Sequence, residues 1–281
     1  MTDKPEPVKG FDYCFYEMKH VSGAVREPAE GMFNIISCFA DNKTARMHPD
    51  WVAVSERGKA TRSDGRYKML WDWLCPNNDE VKKNLLDLIE DTSSKNILGI
   101  RLDCIQYAME DFCKCVRCAK MIKQSKMDWV NFRSSSISDF IRDVRRASKV
   151  PLMIGLEPDP AFLNERFGLN VKVLNDFVDA FCIPIYMDYS IAYWCDVIAY
   201  AFRQHVKKKL VIDLYAGYPK KPIENLFRAM IAVAKYADTI LISTFDYNLA
   251  LDVLSSLKDE RFFKMVEEKD CKPLSQRLKI L

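Results

Sequence analysis

Ile97-Leu98-Gly99-Ile100-Arg101-Leu102-Asp103 is the stretch on which the fold turns. Side chains of a strand alternate between two faces, so Leu98, Ile100 and Leu102 share one face while Arg101 and Asp103 share the other. The apolar set suits packing against helices, which turns Arg101 and Asp103 inward, as in a strand of a closed parallel sheet. Seven further runs have the β-branched, aromatic or continuously apolar character of strands buried on both faces. In chain order the eight runs are Tyr13–Met18, Phe33–Phe39, Tyr67–Trp73, Ile97–Asp103, Leu152–Glu157, Cys182–Asp188, Leu210–Tyr215 and Thr239–Phe245.

Helical patterns lie between several of these runs. Asp79–Ser93 places Val81, Leu85, Leu88 and Ile89 on one stripe, and Ile137–Ser148, Val171–Ala180, Ile191–Lys207 and Pro222–Tyr236 read the same way. Alternating strands and helices imply a parallel sheet, and eight strands imply closure into a single-domain (β/α)8 TIM-type barrel spanning residues 1–281. An open doubly wound sheet permits the same alternation. Against it, the first strand–helix turns carry no Gly-rich phosphate fingerprint, and the chain has only nine glycines. Ala40–Arg66, between the second and third runs, is too polar and irregular for a crossover helix and reads as a long loop at the functional rim.

The 281 residues, 49% hydrophobic and 29% charged, exclude a disordered, collagen-like or coiled-coil chain and suffice for a large core. A formal charge of +3 makes nucleic acid an improbable main ligand, since tracking a phosphate backbone needs a strong basic excess. The apolar runs fall short of the ~20 residues that span a membrane, and the polar Met1–Gly10 is unlike a secretory signal, so a cytoplasmic protein is expected. In such a reducing compartment, ten cysteines suggest a metal and not disulfides.

Cys113-Lys-Cys115-Val-Arg-Cys118 puts three thiols within six residues, just after the fourth run. Such a loop can wrap one tetrahedral ion if a fourth ligand closes the site, and four thiolates favour structural zinc. Cys75 follows the neighbouring third run in Leu74-Cys75-Pro76-Asn77 and is the first choice; Cys104 is the reserve. The competing reading is three reduced cysteines packed as small hydrophobes.

His48-Pro49-Asp50-Trp51-Val52-Ala53-Val54, Gly58, Cys75-Pro76-Asn77 and the Cys113, Cys115, Cys118 cluster resemble, in the same order, the zinc-containing microbial β-galactosidases and the glycosyl hydrolase-like barrels related to them. The resemblance covers the first half of the chain and implies Cys75, Cys113, Cys115 and Cys118 as the zinc ligands. Those β-galactosidases carry an Asn-Glu pair at the end of the fourth strand, where this chain has Leu102-Asp103-Cys104-Ile105. Gly99-Ile100-Arg101-Leu102-Asp103 looks more like the fourth strand of the hydrolase-like families and of α-fucosidase and α-amylase type barrels. That likeness implies Asp103 as nucleophile, with Arg101 beside it.

In the fifth run Leu152, Ile154 and Leu156 take the helix face, leaving Gly155 and Glu157 inward on the strand next to Asp103. Two carboxyl groups flanking one acetal carry out glycoside hydrolysis, and a separation of ~5 to 5.5 Å gives the retaining route. Asp103 is accordingly expected as nucleophile and Glu157 as acid/base. Substrate-binding roles are expected for Arg101, Tyr186, Asp188, Asp246 and Glu17, and Asp213 and Tyr215 reach the same rim by alternation. Asp246 is also the alternative acid or base of an inverting arrangement. Trp71 and Trp73 share one face, and Trp73 is expected to stack on a sugar, as Tyr193 and Trp194 could; His48 in the rim loop is expected to bind substrate, the alternative being a loop-ordering hydrogen bond. The expected function is glycoside hydrolysis by a barrel with carbohydrate as its partner, self-association being suggested by the resemblance. The alternative is a non-catalytic barrel that binds carbohydrate or protein.

Overall fold

A computed structural model describes residues 4–217, 222–244 and 246–268 of the chain. Its strands are β1 (Phe15–Lys19), β2 (Phe33–Ser37), β3 (Gly99–Asp103), β4 (Leu152–Gly155), β5 (Ala180–Ile185), β6 (Lys209–Tyr215) and β7 (Thr239–Ser243). They pair in parallel in chain order, β1 through β7, as the curled sheet of a TIM-like α/β barrel. Among the described residues seven staves stand where eight were expected.

The strand that drops out is Tyr67–Trp73. Its backbone pairs with other loop segments instead: Trp73 bridges Ala40, Leu74 bridges Val52, and the Trp73 amide donates to Ala60 O at 2.8 Å. Local β character survives, but the partners lie within the β2–β3 connection, which therefore runs as a rim assembly from Cys38 to Asn78. It contains α1 (Asn42–Met47), and the crossover helix α2 (Asp79–Ser93) follows. Asn78 caps α2 by accepting from the amides of Glu80 and Val81, and Asp79 and Glu80 in the first turn complement the helix dipole.

The remaining helices are α3 (Val116–Ser125), α4 (Trp129–Ala147), α5 (Leu163–Phe167), α6 (Val171–Leu174), α7 (Tyr193–His205), α8 (Ile223–Ala234), α9 (Tyr247–Ser256) and α10 (Glu260–Glu268). Expected Ile137–Ser148 is the second half of the longer α4. Expected Val171–Ala180 shrinks to the single turn of α6, because Ala180 already begins β5. No helix among the described residues is long and apolar enough to cross a membrane.

Alternation along each strand divides the core in two. Ile100, Leu102, Leu152 and Ile154 face the helices, while Phe15, Ile35, Met153, Ala180, Cys182, Val211 and Leu241 fill the barrel's lower interior. This plug excludes water beneath the charged layer formed by Arg101, Asp103 and Asp213.

Arg133 of α4 locks two rim loops. Fully buried, it donates to the carbonyls of Met109, Glu165 and Arg166 at 2.6 to 2.7 Å, and its guanidinium lies 4.6 Å from the Tyr107 ring centroid. The loops after β3 and β4 thus share one cation. Gly168, at φ +74°, closes the arrangement; an added Cβ there would lie 3.1 Å from both Arg133 O and the Tyr107 ring. Replacing Arg133 with Met removes the donor from three part-buried carbonyls, each loss costing about 1 kcal/mol or more. Urea unfolding should show a loss of at least about 3 kcal/mol, and a loss below 1 kcal/mol would contradict the clamp.

Candidate active site and metal centre

Arg101 is the inward residue around which the mouth is built. Its side chain is 4% exposed, with Nε donating to Asp103 Oδ1 at 2.7 Å and Nη1 donating to Asp213 Oδ2 at 2.9 Å. Asp213 is fully buried and also accepts from Tyr186 Oη at 2.8 Å and Ser243 Oγ at 2.5 Å. Both of its oxygens are engaged below the surface. Asp213 therefore serves as a counter-charge and has no free edge for a sugar hydroxyl, and Arg101 likewise acts through Asp103, without the substrate contact expected of it.

Asp103 ends β3 and remains 28% exposed at the mouth. Gly155 makes its position possible: a Cβ at residue 155 would sit 2.5 Å from Asp103 Oδ1. Burial raises the proton affinity of Asp103, while the charge and hydrogen bond of Arg101 oppose that rise. Glu157, just past β4, is half-buried and accepts from Gln106 Nε2 at 2.7 Å. Burial pushes its pKa up, the Gln106 hydrogen bond lowers it, and the Asp103 charge adds to the rise.

Glu17, on β1, flanks Asp103 from the other direction. Burial first, and then the Asp103 charge, raise its pKa from 4.5 to about 7. His20 Nε2 lies 3.9 Å from Glu17 Oε1, and the His20 ring meets Trp71 edge-on at 6.4 Å. Glu17 was expected only as a binder; its perturbation depends on a charge two strands away, which no local pattern displays. Gln106 was not foreseen either, being a loop residue with no periodicity to mark it.

The aromatic and acidic rim is sorted by local bonding. Trp73 is 7% exposed and tucked beneath its loop, so its ring offers no face to a sugar, whereas Trp71 is 37% exposed beside His20. Tyr186 dips its hydroxyl onto Asp213 while its ring, 48% exposed, leans on Tyr215 with centroids 5.3 Å apart. Tyr193 and Trp194 are exposed at the start of α7. Asp188 lies beyond the end of β5 and caps the short 3-10 turn Tyr189–Ile191 through Ser190 N at 3.1 Å. Asp246 caps α9 through the amides of Asn248 and Leu249. A carboxylate satisfying amides at a helix start is a structural solution in itself, and neither aspartate adds to the inward cluster. His48 ends α1 and stacks on Trp51, centroids 3.9 Å apart, as a loop-ordering contact.

Cys75, Cys113, Cys115 and Cys118 converge, all four sulfurs lying within 4.8 Å of one another. Cys75 Sγ is 3.4 Å from Cys118 Sγ and 3.8 Å from Cys115 Sγ. A tetrahedral ion with bonds of ~2.3 Å needs sulfur separations near ~3.8 Å, so the four thiols fit one metal ion. Donors surround the sulfurs as metal thiolates require: Asn77 Nδ2 lies 3.3 Å from Cys118 Sγ, and Val54 N 3.5 Å from Cys113 Sγ. Hydrogen bonds from Cys113, Cys118 and Cys75 hold Cys115 far below the ordinary thiol range. The Cys104 alternative is set aside, because the sulfur that joins Cys113, Cys115 and Cys118 is that of Cys75, while Cys104 stands outside the cluster beside Asp103.

Fold and mouth together define a TIM-like α/β barrel with carboxyl groups gathered at its strand ends. No protein-family model matches the chain, and no curated protein matches its sequence. Among solved structures it is similar to the glycoside hydrolase domain of PgaB (BpsB) from Bordetella bronchiseptica, with a TM-score of 0.65 and 13% identity over 82% of this chain and 74% of that one. It is also similar to α-L-fucosidase isoenzyme 2 from Paenibacillus thiaminolyticus, with a TM-score of 0.61 and 13% identity over 89% of this chain and 44% of that one. The likeness is one of fold: the chain shares the barrel architecture of these structures.

Glu17 yields a stability signature. Its pKa is raised in the folded state, so the fold favours the protonated form and loses stability as pH climbs from about 4.5 through about 7. Glu17→Gln removes that loss. At pH 8 the variant should exceed wild type in denaturant stability by up to about 3 kcal/mol, at ~1.4 kcal/mol per unit, with little difference at pH 4. Equal stability of the two proteins at both pH values would refute the assignment.

Proposed function

We propose that the protein hydrolyses a glycosidic bond by a retaining double displacement, with Asp103 as nucleophile and Glu157 as acid/base. The observation that carries this reading is the Arg101–Asp103 ion pair at the end of β3, with Glu157, its proton affinity raised by burial and by the Asp103 charge, just past the end of the next strand. Arg101 occupies Asp103 Oδ1 and leaves the other oxygen for the anomeric carbon. As the carbon–oxygen bond breaks, Glu157 gives its proton to the leaving oxygen. It then takes a proton from the water that releases the sugar from Asp103. Exposed Trp71 and the Tyr186 ring supply faces for a sugar ring.

Glu17 is the rival acid, favoured by its pKa of about 7 and by its electrostatic contact with Asp103. Kinetics separate the two. On an aryl-glycoside screen, Asp103→Asn should lower kcat/KM at least about a thousandfold, and Glu157→Gln by roughly 10²- to 10⁴-fold on substrates with poor leaving groups. Glu17→Gln should cost far less. Failure of wild type to cleave any member of a broad panel would leave the alternative reading, a barrel that binds carbohydrate without turnover.

The four-cysteine site holds zinc in this reading, and its role is structural. Four thiolates complete a tetrahedral shell, so the ion supplies a crosslink between the loops after β2 and β3 and takes no part in bond cleavage. Reduced thiols suit a cytoplasmic location, and the nine cysteines among the described residues are all unpaired. Purified protein should carry about one zinc per chain by plasma mass spectrometry, and Cys118→Ser should reduce this to near zero with a lower Tm. Full occupancy in that variant would overturn the ligand set.

A further inference from the structure

We propose that Gln106 is a positioning residue for Glu157, and that the metal centre regulates it through Asn77 and Tyr107. The inference rests on the reading of Glu157 as the acid. The connection after β3 begins at Asp103 and ends in Cys113, Cys115 and Cys118, so a single loop joins nucleophile to metal site. Gln106 sits within it, 2% exposed, and its amide nitrogen reaches Glu157 Oε1 at 2.7 Å. That nitrogen can only donate. Oε1 therefore accepts, and the acidic proton of Glu157 is confined to Oε2, one defined oxygen from which to deliver it.

Gln106 is followed in the chain by an anchored residue. Tyr107 is fully buried, and its hydroxyl accepts from Asn77 Nδ2 at 2.8 Å. The same Asn77 nitrogen lies 3.3 Å from Cys118 Sγ, and Asn77 is two residues from Cys75. Tyr107 is held from other directions as well: its amide donates to Phe167 O at 3.1 Å, Gly168 backs its ring, and Arg133 covers it. Ser136 also hydrogen-bonds Tyr107, and the Asn77 bridge is the contact in this set that reaches a metal-ligating thiol. Releasing the ion frees Cys118 and Asn77, lets Tyr107 shift and draws Gln106 away from Glu157. A hydrogen bond that favours the carboxylate is then lost, so Glu157 should hold its proton more tightly.

Carboxyl ¹³C NMR on the full chain labelled at glutamate tests this directly, with the Glu157 signal assigned by its disappearance in Glu157→Gln. The titration midpoint of Glu157 is measured in metal-loaded and chelator-stripped protein, and in metal-loaded Gln106→Met and Asn77→Ala. Gln106→Met preserves volume while removing the donor. The midpoint should rise by about one pH unit in Gln106→Met. It should move in the same direction in Asn77→Ala and on stripping, with circular dichroism unchanged. If stripping unfolds the chain, the two loaded variants decide. An unmoved midpoint in Gln106→Met overturns the positioning role, and a shift there without one in Asn77→Ala overturns the link to the metal centre. Absence of glycosidase activity with these shifts intact would instead count against the catalytic reading alone.

Discussion

A guanidinium inside a barrel cannot be left without counter-charges, and Arg101 finds two, Asp103 above it and Asp213 across the barrel. Desolvating one cation costs several kcal/mol, so this geometry persists only because both carboxylates and the Tyr186 and Ser243 hydroxyls complete the network. The consequence is asymmetry. Asp213 is consumed by the network, whereas Asp103 gives up one oxygen and keeps the other at the mouth. The apolar plug below keeps the layer dry, which raises the proton affinity of the neighbouring Glu17 and Glu157.

The loops that frame the mouth are held by different means. Arg133 ties the β3 and β4 loops by donating to their carbonyls, and the four cysteines bring the β2 and β3 loops together at one cluster. Buried Lys19 links the end of β1 to the β2 loop through Ser37 O at 2.8 Å and Asp41 at 2.9 Å. Four consecutive strand ends are thereby pinned to one another. These are the ends that carry Glu17, Asp103 and Glu157, so the crosslinks sit where side-chain placement matters most.

Much of this was legible in the sequence. The alternation in Ile97–Asp103 separates a helix face from a charged inner face, and Leu152–Glu157 repeats the pattern; the strands themselves are shorter, so Leu98 lies exposed ahead of β3 and Glu157 just past β4. The cysteine spacing pointed to a cluster able to hold a metal ion, and Cys75 completes that four-thiol cluster because the loops after β2 and β3 are neighbours, although no strand precedes Cys75. Tyr67–Trp73 misled because β character reports a pairing edge without naming its partner, and its partners were other rim segments. Asp188 and Asp246 misled because alternation holds only while the strand continues. Past Ile185 and Ser243 the chain turns into helix starts, where an aspartate caps amides. Glu17, Gln106 and the full burial of Asp213 depend on contacts between distant segments, which no single window contains.

In the proposed mechanism the exposed oxygen of Asp103 forms a bond to the sugar. Incubation with a 2-fluoro glycoside of the sugar that the wild type cleaves, followed by proteolysis and mass spectrometry, tests it most directly. The account predicts one covalent glycosyl label, on the peptide containing Asp103 and absent in Asp103→Asn. A label on another carboxylate, or turnover with inverted anomeric configuration and no label, would contradict it.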